Sequence, residues 1–95
     1  MKVLIIEDEK PAARRLSRML AALKIEAEVL LHSVEESIQW FQENKHPDLI
    51  FLDIQLSDGL SFEIFEEIAV KSAIIFTTAY DEYALKAFKL NSIDY

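Results

Sequence analysis

The sequence contains no cysteine, one glycine and two prolines among its 95 residues. Without cysteine, the chain can form neither a disulfide bond nor a thiolate metal site. One glycine is also too few for the glycine-rich loops that hold nucleotide phosphates. Acidic residues outnumber basic ones by 17 to 10, which gives a formal net charge of −7. A domain with this charge repels nucleic acid phosphates, so we expect that it does not itself bind DNA.

Long hydrophobic runs are absent too, and no run approaches the length needed to cross a membrane. The apolar residues after Lys2 are followed at once by acids, a pattern too short and too acidic for a signal peptide. Hydrophobic residues nevertheless make up 52% of the chain, too many for a disordered segment. These features predict one compact domain with a cytoplasmic location and no membrane contact.

The central feature of the sequence is the stretch from Leu49 to Gly59. Four large apolar residues end abruptly in Asp53, and a short polar turn follows and closes on Asp58 and Gly59. The apolar run is typical of a strand buried on both faces of a parallel sheet. Ligands of such sheets bind beyond the carboxyl ends of the strands, so Asp53 is a candidate for chemistry.

A second acidic segment follows a similar apolar run near the start of the chain. Residues 3–6 are apolar, and Glu7, Asp8 and Glu9 come directly after them. If the two strands are parallel neighbours, Glu7, Asp8 and Asp53 converge at one edge of the sheet. Their repulsion would be relieved by a hard divalent cation such as Mg²⁺. The simpler alternative is that the acidic triplet only solvates a loop and favours the start of a helix.

The rest of the chain alternates between short apolar runs and segments with helical spacing of apolar residues. Strands are predicted at residues 2–6, 26–32, 49–52, 73–76 and 93–95. Helices are predicted at residues 10–23, from Ser33 to about Asn44, around 64–68 and around 80–88. Ser33 and Glu36 form a capping-box signal, and the polar start of the second strand predicts a sheet edge. The alternation predicts an α/β fold, a doubly wound parallel sheet with right-handed crossovers.

The polar residues at the strand ends resemble those of a known family. Glu7-Asp8 follows the first strand, Asp53 the third and Thr78-Ala79 the fourth. This order resembles the receiver domain of two-component response regulators, and residues 76–88 and 91–95 are similar to receivers of the LytTR class. The resemblance implies a flavodoxin-like sheet of order 2-1-3-4-5, an order taken from the family. The fifth strand and fifth helix would be incomplete or missing.

The resemblance also implies roles for the acidic residues. Asp53 would be the phosphoacceptor. Mg²⁺ would be held by Glu7, Asp8 and Asp53 together with the backbone carbonyl of Gln55. The resemblance implies that the donor is a phosphohistidine on a sensor histidine kinase. Neither His32 nor His46 is expected to be an internal donor: His32 ends the second strand, which should lie away from the site, and His46 precedes the third strand at its opposite end. Both are interpreted as ordinary surface or edge histidines. The domain would catalyse only its own phosphotransfer and slow dephosphorylation, and so would not be an enzyme in the usual sense.

Other matching positions would transmit the signal. Thr78 would bind the phosphoryl group through its hydroxyl, Ala79 would leave room for it, and Tyr95 would move inward with Thr78. The surface of the fourth helix would then favour a homodimer or an output domain. The candidate residues on this surface are Tyr83, Lys86 and Lys89. An output domain that binds DNA and regulates transcription would lie outside this chain.

The chain departs from the family in two ways, since the lysine of the fifth strand and the fifth helix are absent. We expect residues 1–95 to be a receiver domain within a longer protein. If the natural chain ended here, it should associate through the edge of the fourth strand and be weakly phosphorylated. Two rival functions are a haloacid-dehalogenase-like phosphotransferase, which needs an acid where Gln55 stands, and a phosphorylation-independent interaction module with the receiver fold.

Overall fold

A computed structural model of the protein describes residues 1–77, which form a parallel sheet with helices on both faces. In chain order the elements are β1 (Val3–Ile6), α1 (Lys10–Ala22), β2 (Ala27–Leu31), α2 (Val34–Glu43), β3 (Leu49–Leu52), β4 (Gln55–Leu56), β5 (Gly59–Leu60), α3 (Phe62–Glu67) and β6 (Ala73–Phe76). The main sheet has the order β2-β1-β3-β6, and every neighbouring pair is parallel.

This architecture is the flavodoxin-like α/β fold that the sequence predicts. With β6 as the fourth strand of the main sheet, the strand order is 2-1-3-4, and β2 lies at the predicted edge. The four strands and the first two helices begin and end within two residues of their predicted positions. The predicted fourth helix and fifth strand lie outside the described residues. Within residues 1–77, none of the helices is both long and apolar enough to cross a membrane.

The core lies on both sides of the main sheet, because successive side chains of a strand point to opposite faces. In β1, Leu4 and Ile6 pack with residues of α2 and α3, whereas Val3 and Ile5 pack with residues of α1. All four are at most 1% exposed. A strand covered on both faces must be apolar throughout, which explains the uninterrupted hydrophobic run before Glu7.

Local signals set the helix ends. Pro11 lies in the first turn of α1, where its missing N–H leaves no helical hydrogen bond unmade. After α1 the chain turns at Lys24, whose φ of 64° is left-handed. Ser33 is the N-cap of α2, and its Oγ accepts a hydrogen bond from the backbone N–H of Glu36 at 3.0 Å. The N-cap predicted at Ser33 is therefore confirmed, whereas the side chain of Glu36 accepts from the backbone N–H of His32 and not from that of Ser33.

The segment after Asp53 is more ordered than the polar turn predicted from the sequence. It contains the antiparallel pair β4–β5, in which Gln55 is opposite Leu60 and Leu56 is opposite Gly59. Gly59 has a φ of 151°, a backbone conformation that residues with a side chain adopt only with strain. The hairpin ends at Leu60, and α3 begins at Phe62, two residues before the start predicted from the sequence.

Candidate functional site

Parallel pairing of β1 with β3 brings two acidic segments to the same edge of the sheet. Ile6 is paired with Leu52, and the backbone N–H of Asp53 donates to the carbonyl oxygen of Ile6 at 3.0 Å. Asp53 and Glu7 each follow the last residue of a strand, so the ladder places them side by side. Asp8 comes next, before α1 begins at Lys10.

The carboxylates of Glu7, Asp8 and Asp53 form one cluster, which we call the acidic cluster. One oxygen from each lies within 4.8 Å of one oxygen from each of the others. All three residues are half-buried. The structure thus brings together the three acids that the sequence analysis assigned to one edge of the sheet.

The electrostatics of the acidic cluster are most visible at Glu7. Burial of its carboxyl, a hydrogen bond with Asp8 and the negative charge of Asp53 raise the pKa of Glu7 from 4.5 to about 8. The backbone N–H of Glu9, 3.3 Å from Glu7 Oε2, acts in the opposite direction but does not outweigh them. Without a cation, these interactions therefore favour the protonated form of Glu7, which lowers the negative charge of the cluster.

The donor atoms suit a hard divalent cation. Carboxylate oxygens are the ligands that Mg²⁺ prefers, and it is held in proteins by one or two carboxylates with water and phosphate oxygens completing its shell. The acidic cluster supplies such oxygens close enough together to share one ion. Gln55 lies in β4, two residues past Asp53, and its side chain is exposed. A ligand role for its backbone carbonyl stays a prediction.

Comparison with known proteins gives a consistent answer. Residues 3–95 match the response regulator receiver domain family. The chain belongs to this family. It is 42% identical over 100 residues to the sensory transduction protein LytT of Bacillus anthracis and 37% identical over 99 residues to the transcriptional regulatory protein LytR of Staphylococcus aureus. All of the receiver chain is covered in both comparisons, but it spans only 40% of the length of each relative.

Solved structures agree with the fold. The response regulatory domain of mrkE from Klebsiella pneumoniae superposes with a TM-score of 0.83 at 37% identity, covering all of this receiver and 80% of that chain. The response regulator TrrA from Thermotoga maritima, solved in complex with Mg²⁺ and beryllofluoride, gives a TM-score of 0.80 at 27% identity and covers 100% and 84%. Family membership makes this chain a signalling domain.

The residues expected to carry the signal in this receiver lie outside the described part of the chain. These residues are Thr78, Ala79, Tyr83, Lys86, Lys89 and Tyr95. The described residues reach Thr77, whose backbone N–H donates to the carbonyl of Leu52 at 2.9 Å, so β6 runs beside β3 up to the level of the acidic cluster. The roles of the six residues stay predictions.

Sequence reasoning missed the role of Asp58 in this receiver. Its carboxylate accepts hydrogen bonds from the backbone N–H groups of Val34 at 2.8 Å and Glu35 at 3.0 Å, and so caps α2 from a distant turn. Burial raises the pKa of Asp58, but these backbone hydrogen bonds outweigh it and hold the pKa below 3.8. An acid next to glycine signalled a turn, but nothing in the sequence indicated which helix it would cap.

The expectation that the second strand keeps His32 away from the site is wrong. The Nδ1 atom of His32 lies 2.8 Å from the carbonyl oxygen of Glu7, and the residue is half-buried. The physical reason is the pairing of β1 with β2, because the strand that ends at Leu31 runs beside the one that ends at Ile6. His32 therefore stands next to the first residue of the acidic segment.

Proposed function

We propose that Asp53 is the phosphoacceptor of this receiver and that it takes its phosphoryl group from a phosphohistidine on a sensor histidine kinase. The observation that carries the proposal is the meeting of Glu7, Asp8 and Asp53 within 4.8 Å at the carboxyl edge of the sheet. The complex of TrrA with Mg²⁺ and beryllofluoride supports a cation and a phosphoryl-like group in this family.

The chemistry follows from the nature of the groups. An oxygen of the Asp53 carboxylate attacks phosphorus, and an O–P bond forms as the N–P bond of the donor breaks. The nitrogen of the donor imidazole keeps the electron pair of the broken bond and regains a proton from solvent. When bound, Mg²⁺ neutralises charge on the transferring phosphoryl group. Glu7, Asp8 and Asp53 would hold it, with the backbone carbonyl of Gln55.

The output of the receiver is a shift between two populations of the domain. Thr78 and Ala79 would contact the new phosphoryl group, and Tyr95 would follow Thr78. The altered surface, with Tyr83, Lys86 and Lys89 as candidates, would favour a homodimer or a DNA-binding output domain outside this chain, as expected for a cytoplasmic regulator. Beryllofluoride should therefore change the mass of the assembly or the amide shifts of residues 80–89, and no change in either would contradict this output.

The decisive experiment is mass spectrometry of the intact protein after incubation with acetyl phosphate and Mg²⁺. The wild type should gain one phosphoryl group, and Asp53→Asn should gain none. Asp48→Asn is a matched control, because Asp48 lies just before the opposite end of β3 and accepts a hydrogen bond from the backbone N–H of Lys2 at 2.7 Å. This control should be phosphorylated like the wild type.

Each outcome of that experiment has one meaning. Hydroxylamine cleaves acyl phosphates, so it should remove the added mass if the phosphoryl group is on a carboxylate. Equal phosphorylation of Asp53→Asn would overturn the assignment of the acceptor. No mass gain in the wild type would overturn the phosphoacceptor function and favour an interaction module that works without phosphorylation.

A further inference from the structure

Both backbone polar groups of Glu7 form hydrogen bonds with residues at the end of β2. Its N–H donates to the carbonyl oxygen of Leu31 at 2.9 Å, which continues the parallel ladder by one step. Its carbonyl oxygen is met by Nδ1 of the His32 ring at 2.8 Å. The paired strands end at Ile6 and Leu31, and just beyond them the His32 side chain, not a backbone N–H, bonds to the carbonyl of Glu7.

The contact fixes the chemical state of the His32 ring. A carbonyl oxygen can only accept a hydrogen bond, so the proton must be on Nδ1. In the neutral ring Nε2 then carries no proton, which is the less common tautomer for a free histidine. The contact is therefore a directional hydrogen bond that a hydrophobic side chain of the same size cannot replace.

The backbone of His32 is itself held in place. The backbone N–H of His32 donates to Oε1 of Glu36 at 2.8 Å, and the backbone N–H of Glu36 donates to Oγ of Ser33 at 3.0 Å. In a standard capping box, Glu36 would accept from the N-cap residue itself, but here it accepts from the residue before the cap. His32 is thus fixed to the first turn of α2.

The segment held by His32 is one that electrostatic repulsion tends to open. Glu7 and Asp8 lie in the short connection between β1 and α1, and their carboxylates approach that of Asp53 closely. Without a cation, the repulsion is relieved either by protonation or by movement of the loop away from Asp53. A hydrogen bond to the carbonyl of Glu7 holds the peptide group that joins Glu7 to Asp8, and so opposes that movement.

We propose that His32 is a positioning residue, whose Nδ1–H bond to Glu7 holds the acidic segment ready to bind a divalent cation. The proposal rests on the function proposed above, because it assumes that the acidic cluster binds Mg²⁺. Partners that orient metal ligands commonly change metal affinity tenfold or more when they are replaced. His32 is expected to act in this way although it touches no ligand atom of the cluster.

Two variants of equal size separate the hydrogen bond from packing. In His32→Asn, the side-chain N–H₂ group can occupy the position of Nδ1 and donate to Glu7. In His32→Leu, a methyl group replaces it and no donor remains. His46→Leu is a control at the opposite edge of the sheet, where the His46 ring packs edge-to-face on Phe41 with centroids 5.2 Å apart.

The measurements are the dissociation constant of Mg²⁺ alone, by isothermal titration calorimetry, and the free energy of unfolding in urea for each variant. His32→Leu should weaken Mg²⁺ binding by about tenfold, His32→Asn should stay within about twofold of the wild type, and His46→Leu should not change it. A long-range ¹H–¹⁵N spectrum of the wild type should show the Nδ1–H tautomer of His32 at a pH where the ring is neutral.

The outcomes distinguish this inference from the proposed function. A wild type that does not bind Mg²⁺ would overturn both. A wild type that binds Mg²⁺ while His32→Leu binds equally well would overturn only the role of His32. The Nε2–H tautomer in the wild type would also overturn it, and this result needs no variant to fold. Equal weakening by His46→Leu and His32→Leu would assign the effect to general stability and overturn the role.

Discussion

Replacing Asp58 by alanine should destabilise the protein by about 1–2 kcal/mol, the range that loss of a good helix N-cap costs. The carboxylate of Asp58 accepts from Val34 and Glu35, two of the N–H groups that have no partner inside α2. With alanine at position 58, both N–H groups would lose their protein acceptor and could bond only to water. We therefore expect Asp58, in the turn between β4 and β5, to stabilise α2, which lies earlier in the chain.

The magnitude follows from the geometry. Both hydrogen bonds, at 2.8 and 3.0 Å, go to a charged acceptor, and the carboxylate also interacts favourably with the dipole of α2. Asp58 is exposed, so solvent screening keeps the effect below what a buried pair would give. For a domain of this size, a loss of about 1–2 kcal/mol should lower Tm by about 4–16 °C.

The effect should depend on pH with a definite sign. The pKa of Asp58 is lowered below 3.8 in the folded protein, so its charged form is the one that stabilises. That contribution is fully present above the pKa of the unfolded chain and is lost as the pH falls through the lower folded pKa. Asp58→Asn keeps an oxygen acceptor but loses the charge. The gap between wild type and Asp58→Asn should be constant at neutral pH and disappear in acid.

Urea unfolding monitored by circular dichroism provides the assay, with Ser57→Ala as the control. Ser57 is exposed in the same two-residue turn and should change the free energy of unfolding by less than about 0.5 kcal/mol. The reasoning would be refuted if Asp58→Ala were as stable as Ser57→Ala at neutral pH. A gap between wild type and Asp58→Asn that stayed constant down to strong acid would refute the electrostatic part alone.

Two other residues give independent predictions. The folded pKa of Glu7, about 8, lies above its ordinary 4.5, so without a cation the stability it contributes is full below pH 4.5 and is lost as the pH rises through 8. In EDTA above pH 8, the free energy of unfolding in urea should be about 1–2 kcal/mol higher for Glu7→Gln than for the wild type, a value reduced to allow for solvent screening. Identical dependence of this free energy on pH in the two proteins would contradict the prediction. Ser61 is buried, and its Oγ has no hydrogen-bond partner among residues 1–77. Ser61→Ala should therefore be neutral or stabilising by up to about 1 kcal/mol in the same assay, whereas a clear loss of stability would reveal a partner for the hydroxyl.

The parts of the site that could be predicted from the sequence are those that depend on strand periodicity. A strand buried on both faces must be apolar throughout, so the first acid after the run marks its end. Asp53 and the pair Glu7-Asp8 could be assigned to one edge because parallel strands end on the same side of a sheet. To predict the acidic cluster, it is enough to assume that β1 and β3 are parallel neighbours.

The parts that could not be predicted depend on which side chain meets which backbone group. Asp58 caps α2, which begins 24 residues earlier, and His32 bonds to Glu7 across 25 residues. A capping residue is recognised in a sequence only when it precedes its helix, as Ser33 does. An acid in a hairpin turn gives no such indication, because its partner is fixed by packing of the whole domain. The same holds for a histidine at the end of an edge strand.

Both missed contacts converge on the first turn of α2. His32 and Glu36 connect this turn to the backbone of Glu7, and Asp58 connects it to the hairpin that follows Asp53. The two segments that carry the acidic cluster are thus connected to the same helix end, in addition to the backbone pairing of β1 with β3. Holding like charges together requires supports that are themselves held in place, and Val34 packs the first turn of α2 against the core. We therefore expect the geometry of the cluster to depend on the first turn of α2 as well as on the strands that present its carboxylates.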